Sequence, residues 1–353
     1  MTHQIENKVL NKLDCSTEKN MKNKALIGTL IALVILVAGS MIYDQTKNES
    51  AKNGDIKIGI LQYVTHDALD EIERGIEDGL ADAGYDKANA KITVLNAEGD
   101  QSKIQTMSKQ LVHAKNDVVI GIATPAAQGL ASATKDIPVV MGAISDPVGA
   151  KLVKNLKKPE GNVTGVSNQV PIKQTVEMIQ EITPNTKTIG VLYASSEDNS
   201  VSQVAEFKKY AKAAGINVIE YAVPSTNEIK TTMSVMTGKV DAVFVPQDNT
   251  IASAFSTVVN SANAAKIPVY SCVDTMVEQG SIASVAQSQY DLGVETAKIA
   301  VKLLAGKKVS DVPVNIVNTG TPTLNLKEAQ ELGITIPDSM LSKATVAVKA
   351  DEN

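Results

Sequence analysis

A chain of 353 residues is too long for one typical compact core and suits two domains with a terminal extension. Hydrophobic residues make up 43% and charged residues 21%, with mean hydropathy near zero, which excludes a disordered chain. The formal net charge of −5 argues against nucleic acid as a partner, because phosphate binding needs a basic face.

In chain order, the first feature is residues 25–43, ALIGTLIALVILVAGSMIY, nineteen residues without a charge. That length crosses a hydrocarbon core of ~30 Å as a helix. Lys19, Lys22 and Lys24 precede it, so residues 1–24 are expected in the cytoplasm and everything after the span outside, at the cell membrane. Ala38 and Ser40 offer small residues for signal cleavage, but the apolar run is long for a cleaved signal, which favours a retained signal anchor. Met21 opens MKNKALIG as a natural start would, leaving residues 1–20 as an extension without a structural role. Residues 44–55 are polar and aperiodic and read as a tether. Cys15 and Cys272 fall on opposite sides of the membrane, so no intramolecular disulfide is expected, and Cys272, in IPVYSCVD, is expected to be buried and inert.

From Ile56, short apolar runs alternate with amphipathic stretches, the pattern of βαβ units and a parallel sheet. Strands are predicted over 56–61, 91–97, 117–123 and 137–144, with helices over 67–85, 102–115 and 126–135 between them. The order then repeats: strands over 188–194, 217–223, 241–246 and 267–273, with helices over 201–215, 227–238 and 251–266. Ile58 and Ile189 lie 131 residues apart, and Ile137 and Ile267 lie 130 apart, so one α/β unit occurs twice. Two such units imply a cleft at the C-terminal ends of their strands. Residues 161–170, 283–293 and 315–323 read as lobe connections that act as hinges. The N-terminal lobe is then 56–165 with 287–313, and the C-terminal lobe 166–286 with 314–349.

Several motifs occur in order: IGILQ with His66, Leu69-Asp70 and Gly75 (58–75), GIATPAAQ (121–128), ISDPVGA (144–150), GNVTGVS (161–167), VLYASSEDNS (191–200), VPQDNTIAS (245–253) and YDLG (290–293). Over residues 56–345 the chain resembles the substrate-binding proteins of ABC importers. Within them it is similar to the tryptophan or aromatic-amino-acid-binding branch of Gram-positive bacteria. The resemblance implies the type I periplasmic-binding-protein fold: two similar Rossmann-like α/β lobes with parallel sheets, hinged around a cleft, here after an N-terminal transmembrane helix. It also implies a monomer that passes its ligand to a membrane permease with its ATPase. Ser40 stands where a lipoprotein of this kind carries its lipid-bearing cysteine, which leaves the anchoring mode open.

A zwitterionic amino acid needs donors for its carboxylate, an anion for its ammonium group and a pocket for its side chain. Helix N-termini supply donors, because their first N–H groups lack helical partners. Thr124, Pro125, Ala126 and Ala127 form one such start, where Thr124 serves as cap, ligand donor or both. Ser195, Ser196 and Asn199 form a second, with Asp198 read as its cap and Glu197 undecided between cap and ligand. Asp248 and Asn249 form a third; a carboxylate there suits an ammonium group, with helix capping as the alternative. Gln62, Thr65 and His66 follow the first strand, although His66 serves equally to hold its own turn. Ser145 and Asp146 end the fourth strand, and Gln287 lies in a hinge beside the cleft.

Catalysis is not expected. His3, His66 and His113 are the only histidines, no nucleophile-elbow sequence supports a serine triad, and no His/Cys cluster has metal-ligand spacing. SEDNS lacks the glycine and distal glutamate of a calcium loop, and no cofactor is implied. With no tryptophan, three phenylalanines and eight tyrosines, a stacked sugar is disfavoured against an amino acid. Tyr63, Tyr193 and Tyr270 are the rings nearest strand ends. The expectation is thus capture of a free amino acid, tryptophan or another aromatic one. The alternative is a sugar or nucleoside binder, or a ligand-sensing receptor of the same fold.

Overall fold

The computed structural model describes residues 56–86 and 88–351. The expected cytoplasmic segment, membrane span and tether lie outside the described residues. Among the described residues no helix is long and apolar enough to cross a membrane.

The first sheet begins with β1 (Ile56–Gln62), β2 (Ala90–Asn96), β3 (Val118–Ile122), β4 (Val139–Ile144) and β5 (Val163–Asn168). They lie in the order β5-β4-β3-β1-β2, every pair parallel. The second sheet repeats this with β6 (Thr188–Ala194), β7 (Asn217–Val223), β8 (Ala242–Val245), β9 (Val269–Ser271) and β10 (Ala283–Ala286), ordered β10-β9-β8-β6-β7. The matching order is the structural form of the sequence repeat. Central strands are continuous β-branched runs because both faces are covered by helices: β3 and β8 are buried along their whole length. In the second sheet, alternation sends Ile189, Val191 and Phe244 to one face and Leu192, Val243 and Val245 to the other. Phe207 stacks on Phe244 with ring centroids 4.0 Å apart. Cys272 is fully buried, and burial pushes its thiol pKa up, as suits an inert thiol.

The chain ends by returning to both sheets. β11 (Asn315–Val317) extends the first sheet beside β5, β12 (Thr321–Asn325) pairs antiparallel with β10, and β13 (Thr345–Val348) runs parallel to β12. The stretch 161–170 is therefore mostly a first-sheet strand, and 315–323 contributes a strand to each sheet. The expected boundary between residues 165 and 166 falls inside β5, and that between 313 and 314 falls just before β11. Between elements the chain changes sheets at residues 169–171, 287–288 and 318–320.

Helices α1 (Asp67–Asp82), α2 (Gln101–His113) and α3 (Thr124–Ala133) connect the first strands. Helices α4 (Ile172–Ile182), α5 (Asp198–Ala213) and α6 (Ile229–Met236) serve the second sheet. The helix expected over 251–266 is two helices, α7 (Asn249–Ala252) and α8 (Phe255–Ala264). The Ser253 hydroxyl bonds to Thr250 O at 2.8 Å and Ala254 N–H to Ile251 O at 3.1 Å, closing the first turn before the helix resumes.

After the short α9 (Asp274–Glu278), helix α10 (Gln289–Leu304) leaves the second sheet and packs on α1 of the first lobe. Glycines allow this approach. A Cβ on Gly75 would lie 2.1 Å from Tyr290 O, and one on Gly293 would lie 2.2 Å from Ile72 O. Gly293→Ala is expected to push α10 off α1 and to cost about 1–3 kcal/mol, read by chemical denaturation. Unchanged stability would show that the two helices do not rely on backbone contact.

Candidate functional site

Strand ends of both sheets meet at a cleft walled by the two lobes, closed down to a cavity of about 40 Å³. The first-lobe wall starts at the β3–α3 turn. Ala123 there has φ 73° and ψ 159°, a region that normally belongs to glycine, and Ala143 at the end of β4 has φ 59°. Both line the cleft beside Thr124 and Ser145. Helix α3 opens with no side-chain cap, so Thr124 presents a hydroxyl and a helix-start N–H to the cleft. The Ser145 hydroxyl is buried and has no hydrogen-bond partner among the described residues. Asn168, at the end of β5, is 2% exposed and lines the same space, and its Oδ1 also lacks a partner.

The second-lobe wall rests on two buried carboxylates. Glu197 is fully buried; Oε1 accepts from Thr250 N–H and the Thr250 hydroxyl, each at 2.8 Å. Its Oε2 accepts from Asn249 N–H and Asn199 Nδ2, each at 3.2 Å, and from Asn249 Nδ2. Asp248 lines the cleft, but its oxygens turn inward: Oδ2 accepts from Ala194 N–H at 2.6 Å, and Oδ1 accepts from Ile251 N–H at 2.8 Å. Burial, then the charge of Glu197, holds the Asp248 carboxyl well above the usual carboxylate range, against the pull of those N–H bonds. Asp248 thus caps α7 and ties it to β6, the capping role offered by the sequence, while its residue also lines the cleft.

The amide hydrogen bonds orient the neighbouring side chains. Asn249 gives its Nδ2 to Glu197, so its Oδ1 faces His66 Nε2 at 3.3 Å across the cleft, and that ring nitrogen is the donor. Burial lowers the His66 pKa, outweighing the bond to Asn249 and the charges of Glu197, Asp70 and Asp67. Asn199 gives its Nδ2 to Gln247 O at 2.8 Å and to Glu197, leaving a buried Oδ1 without a partner among the described residues. Beside this polar end lies an apolar wall: Leu69 and Ile72 from α1 face Ala252, Val273 and Met276 of the second lobe. Among the described residues no lysine or arginine lines the cleft.

At the rim, direct bonds join the lobes. Gln128 Nε2 donates to Asp198 Oδ2 at 2.9 Å, the Ser202 hydroxyl to Asp146 Oδ2 at 2.9 Å, and Gln279 Nε2 to Asp67 Oδ2 at 2.6 Å. Asp198, expected as a cap, instead bridges the cleft from the first turn of α5, whose N-cap position is Glu197. Asp146, expected at the ligand, belongs to this rim and also accepts Gly149 N–H at 2.8 Å.

Of the sequence-predicted residues, His66, Thr124, Ser145, Asn199, Asp248 and Asn249 line the cleft. The others are placed elsewhere. Ser195 and Ser196 are exposed, because Ser195 N–H continues the ladder to Val223 O at the sheet edge and turns the chain outward. Pro125, Ala126 and Ala127 are buried behind the turn; a Cβ on Gly121 would lie 2.6 Å from Ala127 Cα, so small residues serve packing. Gln62 holds its own turn through Val64 O at 2.9 Å and Asp70 Oδ1 at 2.6 Å. Thr65 is exposed and accepts from Asn96 Nδ2 at 2.9 Å. Gln287 donates to Gln169 O at 3.2 Å and borders a different cavity, at the chain crossing. Tyr270 is buried away from the cleft and Tyr193 bonds Glu220 on the surface, whereas Tyr63 is buried and does not line the cavity but sets its hydroxyl beside Thr250 and the Glu197 carboxylate of the second lobe. Asn168, Gln247 and Gln289 line the cleft without having been anticipated. Asn168 is the last residue of β5, a strand that reads as a connection in the sequence, so no sequence signal set it apart. Among the described residues no group of three or more His, Cys, Asp or Glu is placed to hold a metal ion.

Two duplicated α/β lobes closing on a cleft at their strand ends define a two-lobed solute-binding protein. A family profile described as "ABC transporter substrate binding protein" matches residues 57–348, and the chain belongs to that family. Its relatives include the tyrosine-binding protein of Clostridioides difficile, 35% identical over 94% of this chain and 98% of the relative. A Streptococcus pneumoniae ABC domain solved in complex with L-Trp is 60% identical and superimposes with a TM-score of 0.81, covering 82% of this chain and 99% of that one. A ligand-free, open substrate-binding protein of Clostridium difficile is 37% identical with a TM-score of 0.64, covering 84% and 100%.

Two predictions follow from the cleft walls. Because folding raises the Asp248 pKa above its ordinary value of 3.8, the stability tied to its proton is complete below that value and declines as pH rises through the folded pKa. Asp248→Asn should remove this decline, by at most about 1.4 kcal/mol per pH unit, when melting curves of both proteins are compared from pH 4 upward. Parallel profiles would remove Asp248 as the source. Ala123→Gly should raise the melting temperature, because relief of about 1–3 kcal/mol of strain exceeds glycine's entropic cost of about 1 kcal/mol; a lower melting temperature contradicts the strain.

Proposed function

We propose that this protein captures a free aromatic amino acid, tryptophan or tyrosine, between its lobes and delivers it to an ABC permease driven by its ATPase. The observation that carries this reading is the division of the cleft into a polar end and an apolar wall, each built from both lobes. In this reading the lobes part to admit the ligand, and its flat, apolar side chain packs between Leu69 and Ile72 on one side and Val273 and Met276 on the other, with the Met276 thioether available to a ring edge. The carboxylate lies against the Thr124 hydroxyl and N–H and the Ser145 hydroxyl, neutral donors at a helix start. The relatives support the choice of ligand, one being a tyrosine-binding protein and another a structure with L-Trp bound.

In this reading residues 25–43 anchor the chain and 44–55 tether the lobes outside the cell. The lobes divide as β1–β5, β11 and α10 against β6–β10, β12 and β13, with the three crossings as hinge. Contacts from both lobes exist together only in the closed form, so ligand draws the hinge equilibrium toward closure.

Calorimetric titration of the detergent-solubilised full chain with the twenty amino acids, hexoses and nucleosides tests this. Saturable one-to-one binding of tryptophan or tyrosine, with a negative heat-capacity change, is the expected result. Binding of a sugar or nucleoside and of no amino acid would overturn it.

A further inference from the structure

An ammonium group brings three N–H donors and needs acceptors, and most acceptors near the cleft are already committed. Glu197 spends both oxygens on Asn199, Asn249 and Thr250 and is not part of the cleft surface. Asp248 spends its two on Ala194 and Ile251 N–H groups. Asn249 Oδ1 faces His66, and Gln247 Oε1 accepts from Gln203 Nε2 at 2.9 Å. Two buried amide oxygens at the cleft remain without a partner among the described residues. Asn168 and Asn199, 2% and 5% exposed, line the cleft from opposite lobes, and neither Oδ1 has a partner among the described residues.

Taking the amino-acid reading above as its basis, we propose that the ligand's ammonium group is held by the neutral amide oxygens of Asn168 and Asn199, one from each lobe, and not by a carboxylate. The orientation of Asn199 is imposed: its Nδ2 donates to the Glu197 carboxylate and to Gln247 O, so its oxygen points the other way. Donation to a carboxylate polarises the amide and makes that oxygen a stronger acceptor. The negative charge of Glu197 therefore reaches the ligand through Asn199, while the carboxylate stays buried. A buried oxygen without a donor is costly, and an arriving ammonium group removes that cost on both walls at once. The contact is complete only when the lobes are together, so closure selects α-amino acids over acids of the same shape without the amine.

Asn168 carries the test, because changing Asn199 also disturbs Glu197. Calorimetry on the full chain compares L-tryptophan with indole-3-propionate, which keeps the ring and carboxylate and lacks the ammonium group. Asn168→Leu is expected to weaken tryptophan about 10- to 100-fold, the range of a lost hydrogen bond to a charged group, and to leave any indole-3-propionate binding within about twofold. Asn168→Asp keeps an acceptor and should restore tryptophan binding to within about tenfold of the wild type. Wild-type affinity in Asn168→Leu, or an equal loss in Asn168→Asp, overturns the assignment. If Asn168→Leu does not fold, Asn168→Asp decides alone, with tryptophan retained and indole-3-propionate weakened by the added charge as the expected pair. A wild-type protein that binds no aromatic amino acid overturns the ligand reading itself, and is distinguishable because it needs no variant.

Discussion

The Glu197 carboxylate is the interaction on which the ligand-facing half of the second lobe depends. A fully buried carboxylate is expensive unless it is well supplied with donors, and Glu197 receives five bonds from three residues. Those donors come from the start of α5 and the start of α7, two helices separated by about fifty residues of chain and joined here at one point. The same network sets which way Asn199 and Asn249 face, so the chemistry offered to the cleft follows from it. Asp248 adds a second tie, between β6 and α7. Half-satisfied networks of this kind are worse than apolar packing, which explains why every oxygen of both carboxylates is used.

The first-lobe wall is built on a different principle. There the backbone itself is held in rare conformations at Ala123 and Ala143, each directly before a residue or turn that presents a hydroxyl to the cleft. Such strain persists only where the surrounding structure over-determines it, and here β3, β4 and the close packing of α3 on Gly121 do so. One wall is thus positioned by buried charge and the other by packed backbone.

The fold was legible because central strands buried on both faces need continuous apolar runs, and those runs recur at a constant offset. β5 and β11 escaped because GNVTGVSNQ and NIVNTG carry glycine, asparagine and threonine where the inner strands carry valine and isoleucine. The polar residues at strand ends were legible as a class, since α/β lobes bind at those ends. Their individual roles were not. Asp248 and Ser195 look equally suited to a ligand in sequence, and only the tertiary hydrogen bonds turn one inward and the other to solvent. The apolar wall was invisible for the same reason: Leu69, Val273 and Met276 are ordinary members of helix and strand patterns until the lobes face one another.

Closure depends on contacts that are individually small. Gln128–Asp198, Ser202–Asp146 and Gln279–Asp67 lie at the rim, where water competes for each partner, and a net bond contributes only about 0.5–1.5 kcal/mol. Each also requires a side chain to be held still, which offsets much of that gain. The rim bonds therefore fix the register of the lobes more than they decide whether the lobes stay together. The decision falls to groups inside, where water is excluded and each unpaired oxygen or bare apolar surface counts fully. His66 marks the difference between the two zones: its ring touches the opposite lobe, and burial there disfavours its charged form. Bringing the lobes together is thus most favourable when the imidazole is neutral and the cleft's unpaired acceptors meet donors, and both conditions belong to the ligand site rather than to the hinge.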